Sequence, residues 1–115
     1  MTERDVTITV ETRARVSVVC IDGEVDFRSV SDLRAAMTDL LTEHHDRIVV
    51  DLSRLTWIDS IGLGVLVAAW KRARPTGAEL VLWRPSPKAA AVLKIARLDR
   101  VMTVVVDDQV DPFAA

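Results

Sequence analysis

Apolar and polar residues alternate at the start of the chain and then change period. In "VTITV", Val6, Ile8 and Val10 fall on one side, the two-residue repeat of a half-buried strand. "RVSVVCID" follows as a denser apolar strand, and "ETRA" between them is short enough for a hairpin. "GEVDF" then breaks the strand pattern. Across "SVSDLRAAMTDLLTEHH" the period becomes helical, with Val30, Leu33, Met37, Leu40 and Leu41 on one face. Ser29 followed by Asp32 has the form of a capping box with Asp in place of Glu. "HHDR" ends this helix, and "RIVVDLS" is a continuously apolar strand of the kind buried on both faces.

"RLTWID" leads into a second helix, "SIGLGVLVAAWKRARP", stopped before Pro75. "AELVLWR" is a fourth strand. "SPKAAAVLKIARL" is a third helix, with Ser86 as N-cap and Pro87 at its first position. "RVMTVVVD" is a fifth strand, and "DQVDPFAA" reads as a loose acidic tail or a frayed turn. The order β-β-α-β-α-β-α-β predicts an α/β fold: a mixed, mostly parallel sheet of about five strands with three to four helices. In such sheets functional groups gather beyond the carboxyl ends of the strands. Asp26 in "GEVD" and Asp59–Ser60 in "WIDS" fall at two such ends.

The stretch "WIDSIGLGV" has several chemical readings. A nucleophile elbow needs glycine two residues before the serine, where Ile58 stands. The available bases, His44 and His45, precede the strand at 48–52 while Ser60 follows it. A strand of that length spans roughly 17 Å, which sets them at opposite ends of the sheet. The histidine pair reads instead as a solvated helix end, and "HHD" lacks the further ligands of a metal site. "GLGVLV" has Val67 where a dinucleotide fingerprint needs its third glycine. No catalytic residue, metal or cofactor is therefore expected.

What remains is a helix start. Ser60 is positioned to cap it, and its first N–H groups favour negative charge. Gly62 and Gly64 each cost roughly 1 kcal/mol relative to Ala; packing can account for one of them, while two together at a helix start suggest a contact surface that another backbone can approach. On the helical wheel Leu63, Leu66, Val67 and Trp70 form the expected core stripe. Ile61, Val65 and Ala68 lie opposite, with Arg72 below. Either this helix is covered on both sides or its outer face is a docking patch. The plain structural roles of Asp26 and Asp59 are a turn residue and a helix cap.

Composition narrows the partners. The chain of 115 residues suits one domain, with a core over about residues 5–106 and a tail from 107 to 115. Its net charge is −2 with no basic run, which argues against nucleic acid. Cys20 is the single cysteine and reads as a small buried hydrophobe. No apolar run approaches the roughly 20 residues of a membrane span, and "MTERDVTITV" has no signal-peptide character. A cytoplasmic protein is expected.

The same residues carry a family resemblance. "VVDLSRLTWIDSIGLGVLVAAW" resembles the central motif of STAS domains, the sulfate transporter and anti-sigma-factor-antagonist group. "IDGEVDFRSVSDLRAAM" resembles their upstream motif, and "GAELVLWRPSPKAAAVLKIARLDRVM" their C-terminal strand and helix. The resemblance covers about residues 5–106 and is nearest to stand-alone bacterial anti-sigma factor antagonists. It implies a STAS-type fold and a partner switch. Ser60 would be phosphorylated by an anti-sigma factor with serine kinase activity, and the unmodified form would bind that factor and free a sigma factor. A metal-dependent serine phosphatase would reset it. The implied contact residues are Asp26, Asp59, Ser60, Ile61, Gly62, Gly64, Val65 and Ala68. Ile61 stands where the family often has a second Ser or Thr, so Ser60 is the only hydroxyl in that turn. Arg97 stands where the family often has glycine after the third helix. Two other functions compete: a constitutive STAS scaffold or transporter-associated subunit, and a small-ligand module holding a phosphate near Asp26 and Asp59.

Overall fold

The computed structural model describes residues 6–114. Strands β1 (Val6–Arg13) and β2 (Val16–Val25) form an antiparallel hairpin, closed at Ala14 in the left-handed region at φ 53°. Then come α1 (Val30–Leu41), β3 (Arg47–Asp51), β4 (Leu55–Ile58) and α2 (Ser60–Ala73). β5 (Glu79–Trp83), α3 (Pro87–Ile95) and β6 (Thr103–Val105) complete the order. The sheet runs β1-β2-β3-β5-β6, with β4 set beside β2 off this path, six strands in all among the described residues. Every pairing except β1 with β2 is parallel. The α/β, mostly parallel architecture matches the expectation, but β4 is a strand that the sequence pattern passes over.

β2 explains that extra strand. Its first half, Val16–Cys20, pairs with β3, and its end, Gly23–Val25, pairs with β4. The change of neighbour falls at Gly23, where the register shifts and φ is +115°. A residue with a Cβ rarely adopts that conformation, and the Gly23 amide donates to the Arg54 carbonyl at 3.1 Å. "GEVDF" therefore does not break β2. The glycine kinks it, and the strand continues to Val25.

The strands turn Val19, Ile21, Ile48, Val50, Leu80 and Leu82 toward the helices, where Leu33, Met37, Leu66 and Leu93 meet them. Ser86 caps α3 as expected, accepting from the Ala89 amide at 3.1 Å. Ser29 does not cap α1. Its hydroxyl instead donates to the Glu24 carbonyl at 2.8 Å and accepts from the Asp26 amide at 3.0 Å, tying the β2–α1 turn together. α1 ends at Leu41, with its last apolar residue, so the "TEHH" included in the expected helix lies beyond it. His44 is exposed, but His45 is buried and not a solvated helix end. Its Nε2 is 2.8 Å from Ser17 Oγ, which is 2.7 Å from Thr12 Oγ1. Each ring and hydroxyl in this line has a partner, which makes its burial affordable.

The opposite sheet face is covered by the C-terminal segment, which is not a loose tail. Val49, Val81 and Trp83 are buried there although they lie outside the helix-side core. The Arg47 guanidinium donates to the Pro112 and Ala114 carbonyls, Arg13 lies 4.4 Å over the Phe113 ring, and Trp83 Nε1 donates to the Asp107 carbonyl. Also on this face, Asp51 is buried and takes both ends of the Arg84 fork, at 3.2 and 3.0 Å. Arg84 stacks 4.2 Å from the Trp83 ring centre. Burial pushes the Asp51 carboxyl upward, but the Arg84 bonds and the Ser53 amide outweigh it and hold it below the usual aspartate range. Nearby Cys20 is half-buried, and its thiol is pushed up by burial and then by Asp51.

A depressed carboxyl stabilises the fold above its unfolded value near 3.9, and that contribution fades as pH falls through the lower folded value. Asp51→Asn is expected to cost about 1.5–3 kcal/mol at pH 7, the range for hydrogen bonds to a charged group. The deficit relative to the parent protein should shrink below about pH 4. Urea unfolding of both proteins at neutral and acid pH checks this, and a deficit independent of pH would contradict it.

Candidate functional site

The candidate site is built where β2 and β4 end together. Val25 pairs with Ile58, and the Asp59 amide donates back to the Val25 carbonyl at 3.2 Å. Asp26 and Asp59, the next residues on each strand, are thereby set side by side. Asp59 has extended backbone, φ −98° and ψ −176°, and its carboxylate accepts from the Gly62 amide at 3.0 Å. It is the N-cap of α2. The expected cap, Ser60, is instead the first helical residue, and its side chain is exposed.

Asp26 is committed to its own turn. Its carboxylate accepts from the Arg28 amide at 2.9 Å, the Ser29 amide at 3.3 Å and the Arg28 guanidinium at 3.2 Å. Slight desolvation pushes this carboxyl up, and the Arg28 and Ser29 bonds more than reverse it, so it lies below the ordinary aspartate value. Both acids are therefore structural first. Asp26 shapes the turn, and Asp59 starts the helix.

α2 sits on the sheet about one residue away from the orientation that its hydrophobicity suggests. The buried line is Gly62, Val65, Leu66, Ala69 and Ala73, while Leu63, Val67 and Trp70 are only partly buried. Small residues face the strands, so the helix packs closely. A Cβ at Gly62 would come within 2.7 Å of Ile58 Cγ1 and 2.8 Å of Val25 Cγ1. Gly62 thus makes room for the chain's own strands and not for a partner. Val65 likewise points inward, 8% exposed. Nothing lies within 4 Å of a Cβ built at Gly64. Ser60, Ile61, Gly64 and Ala68 make up the outward face.

Two aromatic residues that the sequence pattern did not single out belong to this end of the molecule. Phe27, just after Asp26, is 72% exposed, and Trp57, just before Ile58 and Asp59, is 47% exposed. Trp57 lines a pocket with Lys88, Ala91 and Val92 of α3, whereas Ile61, also 47% exposed, faces the side where α1 and α2 meet. The available signal for the two aromatic residues was their sequence position, flanking both acids.

The chemistry open to Ser60 follows from the same topology. His45 bonds to Ser17, whereas Ser60 follows the pairing of Ile58 with Val25, eight residues further along β2. That spacing corresponds to about 25 Å of strand, so this imidazole is out of reach of the serine hydroxyl. Among the described residues, no group of His, Cys, Asp and Glu has the arrangement of a metal site. Nor is any described helix long and apolar enough to cross a membrane.

The two glycines should respond oppositely to the same substitution. Gly62→Ala is expected to destabilise by about 1–3 kcal/mol through overpacking. Gly64→Ala is expected to stabilise by about 0.5–1 kcal/mol, because the helix gains alanine without a clash. Asp59→Ala should cost about 1 kcal/mol by losing the cap, and Asp59→Asn should recover most of it. Urea midpoints of the four variants check all three statements.

Comparison with known proteins places the chain in a family. The family model described as "Mlab, STAS domain" matches residues 8–106. BtrV of Bordetella bronchiseptica, provisionally named an anti-sigma factor antagonist, is 32% identical over 79 residues, covering 69% of this chain and 68% of its own. The crystal structure of an anti-sigma factor antagonist from Mycobacterium paratuberculosis superposes with a TM-score of 0.79 at 25% identity, over 94% of this chain and 92% of that one. SpoIIAA, a Bacillus cell fate determinant solved in unphosphorylated and phosphorylated forms, shares the fold. Its unphosphorylated form gives a TM-score of 0.76 at 22% identity, over 90% of this chain and 91% of that one. With a family match spanning most of its length and this architecture behind it, the chain belongs to the STAS domain family.

Proposed function

We propose that the chain is an anti-sigma factor antagonist, a regulatory binding protein and not an enzyme, switched by phosphorylation of Ser60. In the unmodified state it binds an anti-sigma factor with serine kinase activity in the cytoplasm, and a sigma factor is freed. Phosphorylation of Ser60 by that partner ends the binding, and a metal-dependent serine phosphatase restores it. The observation that carries this reading is the exposed Ser60 at the first position of α2, with Asp59 capping the helix beside it. The names of the related proteins support the antagonist role, and a neighbour of the same fold, SpoIIAA, exists in an unphosphorylated and a phosphorylated form.

The physics of the switch is local. A phosphate on Ser60 adds roughly −1.5 to −2 charge at neutral pH. In the free protein the positive end of α2 offsets part of that charge. In a complex the phosphate would be stripped of water beside Asp59 and Asp26, and repulsion and desolvation would both weaken binding. Ile61, next to the serine and exposed, supplies apolar contact, and Gly64 and Ala68 allow close approach. Asp26 and Asp59 act by holding these groups in place. Gly62 acts only through the packing of α2.

Incubation with a cognate kinase anti-sigma factor and ATP should add one phosphate, located at Ser60 by peptide mass spectrometry. Ser60→Ala should take none and bind the partner within about threefold of the parent protein. Ser60→Asp should bind at least tenfold more weakly, about 1.4 kcal/mol. Calorimetry on the three proteins measures this. Equal binding by Ser60→Asp would overturn the switch, and binding with no phosphate transfer would favour a constitutive scaffold.

A further inference from the structure

The outer halves of α1 and α2 leave a groove of 370 Å³ between them. Met37, Val65 and Ala69 form a buried apolar floor. Arg34 of α1 and Arg72 of α2 stand on the rim, both exposed, and no carboxylate lines the groove. Neither arginine has an ion-pair partner among the described residues. α1 and α2 each follow a strand of the same direction, so their N-termini lie toward the same end. Arg34, in the second turn of α1, therefore stands toward the Ser60 end, and Arg72, in the last turn of α2, stands at the far end. From Ile61 to Arg72 the groove runs along about 16 Å of α2, three helical turns.

We propose that this groove is the docking site for an acidic amphipathic helix of the protein that engages the Ser60 end. The inference rests on the partner-binding reading above and names the chemistry of the contact. The incoming helix sets an apolar stripe against Leu41, Ile61 and Ala68, above the buried floor, and places carboxylates at Arg34 and Arg72. An apolar floor with charge of one sign on both rims suits an amphipathic helix of the opposite sign. Gly64, open where a side chain would stand, and exposed Ala68 one turn later let the partner's backbone come close to α2. Ile61 joins the groove to the candidate site, so one partner can occupy both. Phosphate on Ser60 then adds negative charge at the Arg34 end and reduces the pull on the helix carboxylates.

Two synthetic three-turn helical peptides with the same leucine stripe, one flanked by Glu and one by Lys, test the proposal. Each is titrated into the full-length ¹⁵N-labelled protein. The Glu peptide should move the amide signals of Met37, Gly64 and Ala68 and bind at least tenfold more tightly than the Lys peptide. The double variant Arg34→Glu, Arg72→Glu should reverse that order while keeping a folded spectrum, since both side chains are exposed. Absence of shifts with the Glu peptide, equal binding of both peptides, or shifts confined to other surfaces would overturn the proposal. Concentration-dependent shifts of the same amides without peptide would also overturn it, because they would assign the groove to a second copy. If Ser60 accepts phosphate from a kinase partner while the groove ignores the Glu peptide, only the groove assignment fails. If the groove binds the Glu peptide but Ser60 is never phosphorylated, the switch fails and the docking surface stands.

Discussion

The contact of Gly62 with Val25 and Ile58 fixes the geometry of everything near Ser60. Those two side chains occupy the space that a Cβ would need, so α2 can approach the ends of β2 and β4 only at a glycine. The approach is then locked from both sides. Asp59 bonds forward to the Gly62 amide and backward through its own amide to the Val25 carbonyl. Strand pairing, helix cap and close packing thus meet within four residues, Asp59 to Gly62. A side chain on such an element is held more firmly than one on a free loop. Ser60 is presented by this arrangement and takes no part in holding it together.

Much of this was legible in the sequence, and the failures have physical causes. Strand and helix periods identified most elements, because one face of each is buried against a common core. β4 escaped notice because it has only four residues and its two outer positions, Thr56 and Trp57, include a large apolar side chain. Alternation of polar and apolar positions fails when an exposed position carries tryptophan. The α2 wheel turned by about one residue for a related reason: three of its five buried positions are Gly62, Ala69 and Ala73, yet each is less hydrophobic than the half-exposed leucine, valine and tryptophan beside it. Hydrophobicity measures what a side chain gains by burial, whereas close helix packing is limited by size.

The polar residues were harder to place, because their partners are distant in sequence. His45 looked like a solvated helix end until Ser17 and Thr12, on the hairpin, supplied a buried line of hydrogen bonds. Asp51 ends β3, and its partner Arg84 lies after β5. The C-terminal segment looked loose because its anchors, Arg13, Arg47 and Trp83, are all on strands far upstream. Capping had the opposite difficulty. Asp59 and Ser60 are adjacent and both are good caps. Only the strand pairing that carries the chain up to Asp59 decides between them.

That decision bears on function. A serine serving as N-cap has its hydroxyl turned back to the helix amides, and phosphorylating it would disturb the helix start. With Asp59 as cap, the Ser60 hydroxyl is outside the capping bond, so a charge added there alters the surface while the fold beneath retains its hydrogen bonds. The same separation runs through the rest of α2. Gly62 is small because the strands require it, whereas Gly64 is small on the side where nothing in the chain demands it. A helix-interior glycine without an internal contact lowers stability relative to alanine. In a helix already tied down by its cap and its inward face, that loss is tolerable, and the open space beside Ser60 is what it leaves available to a partner.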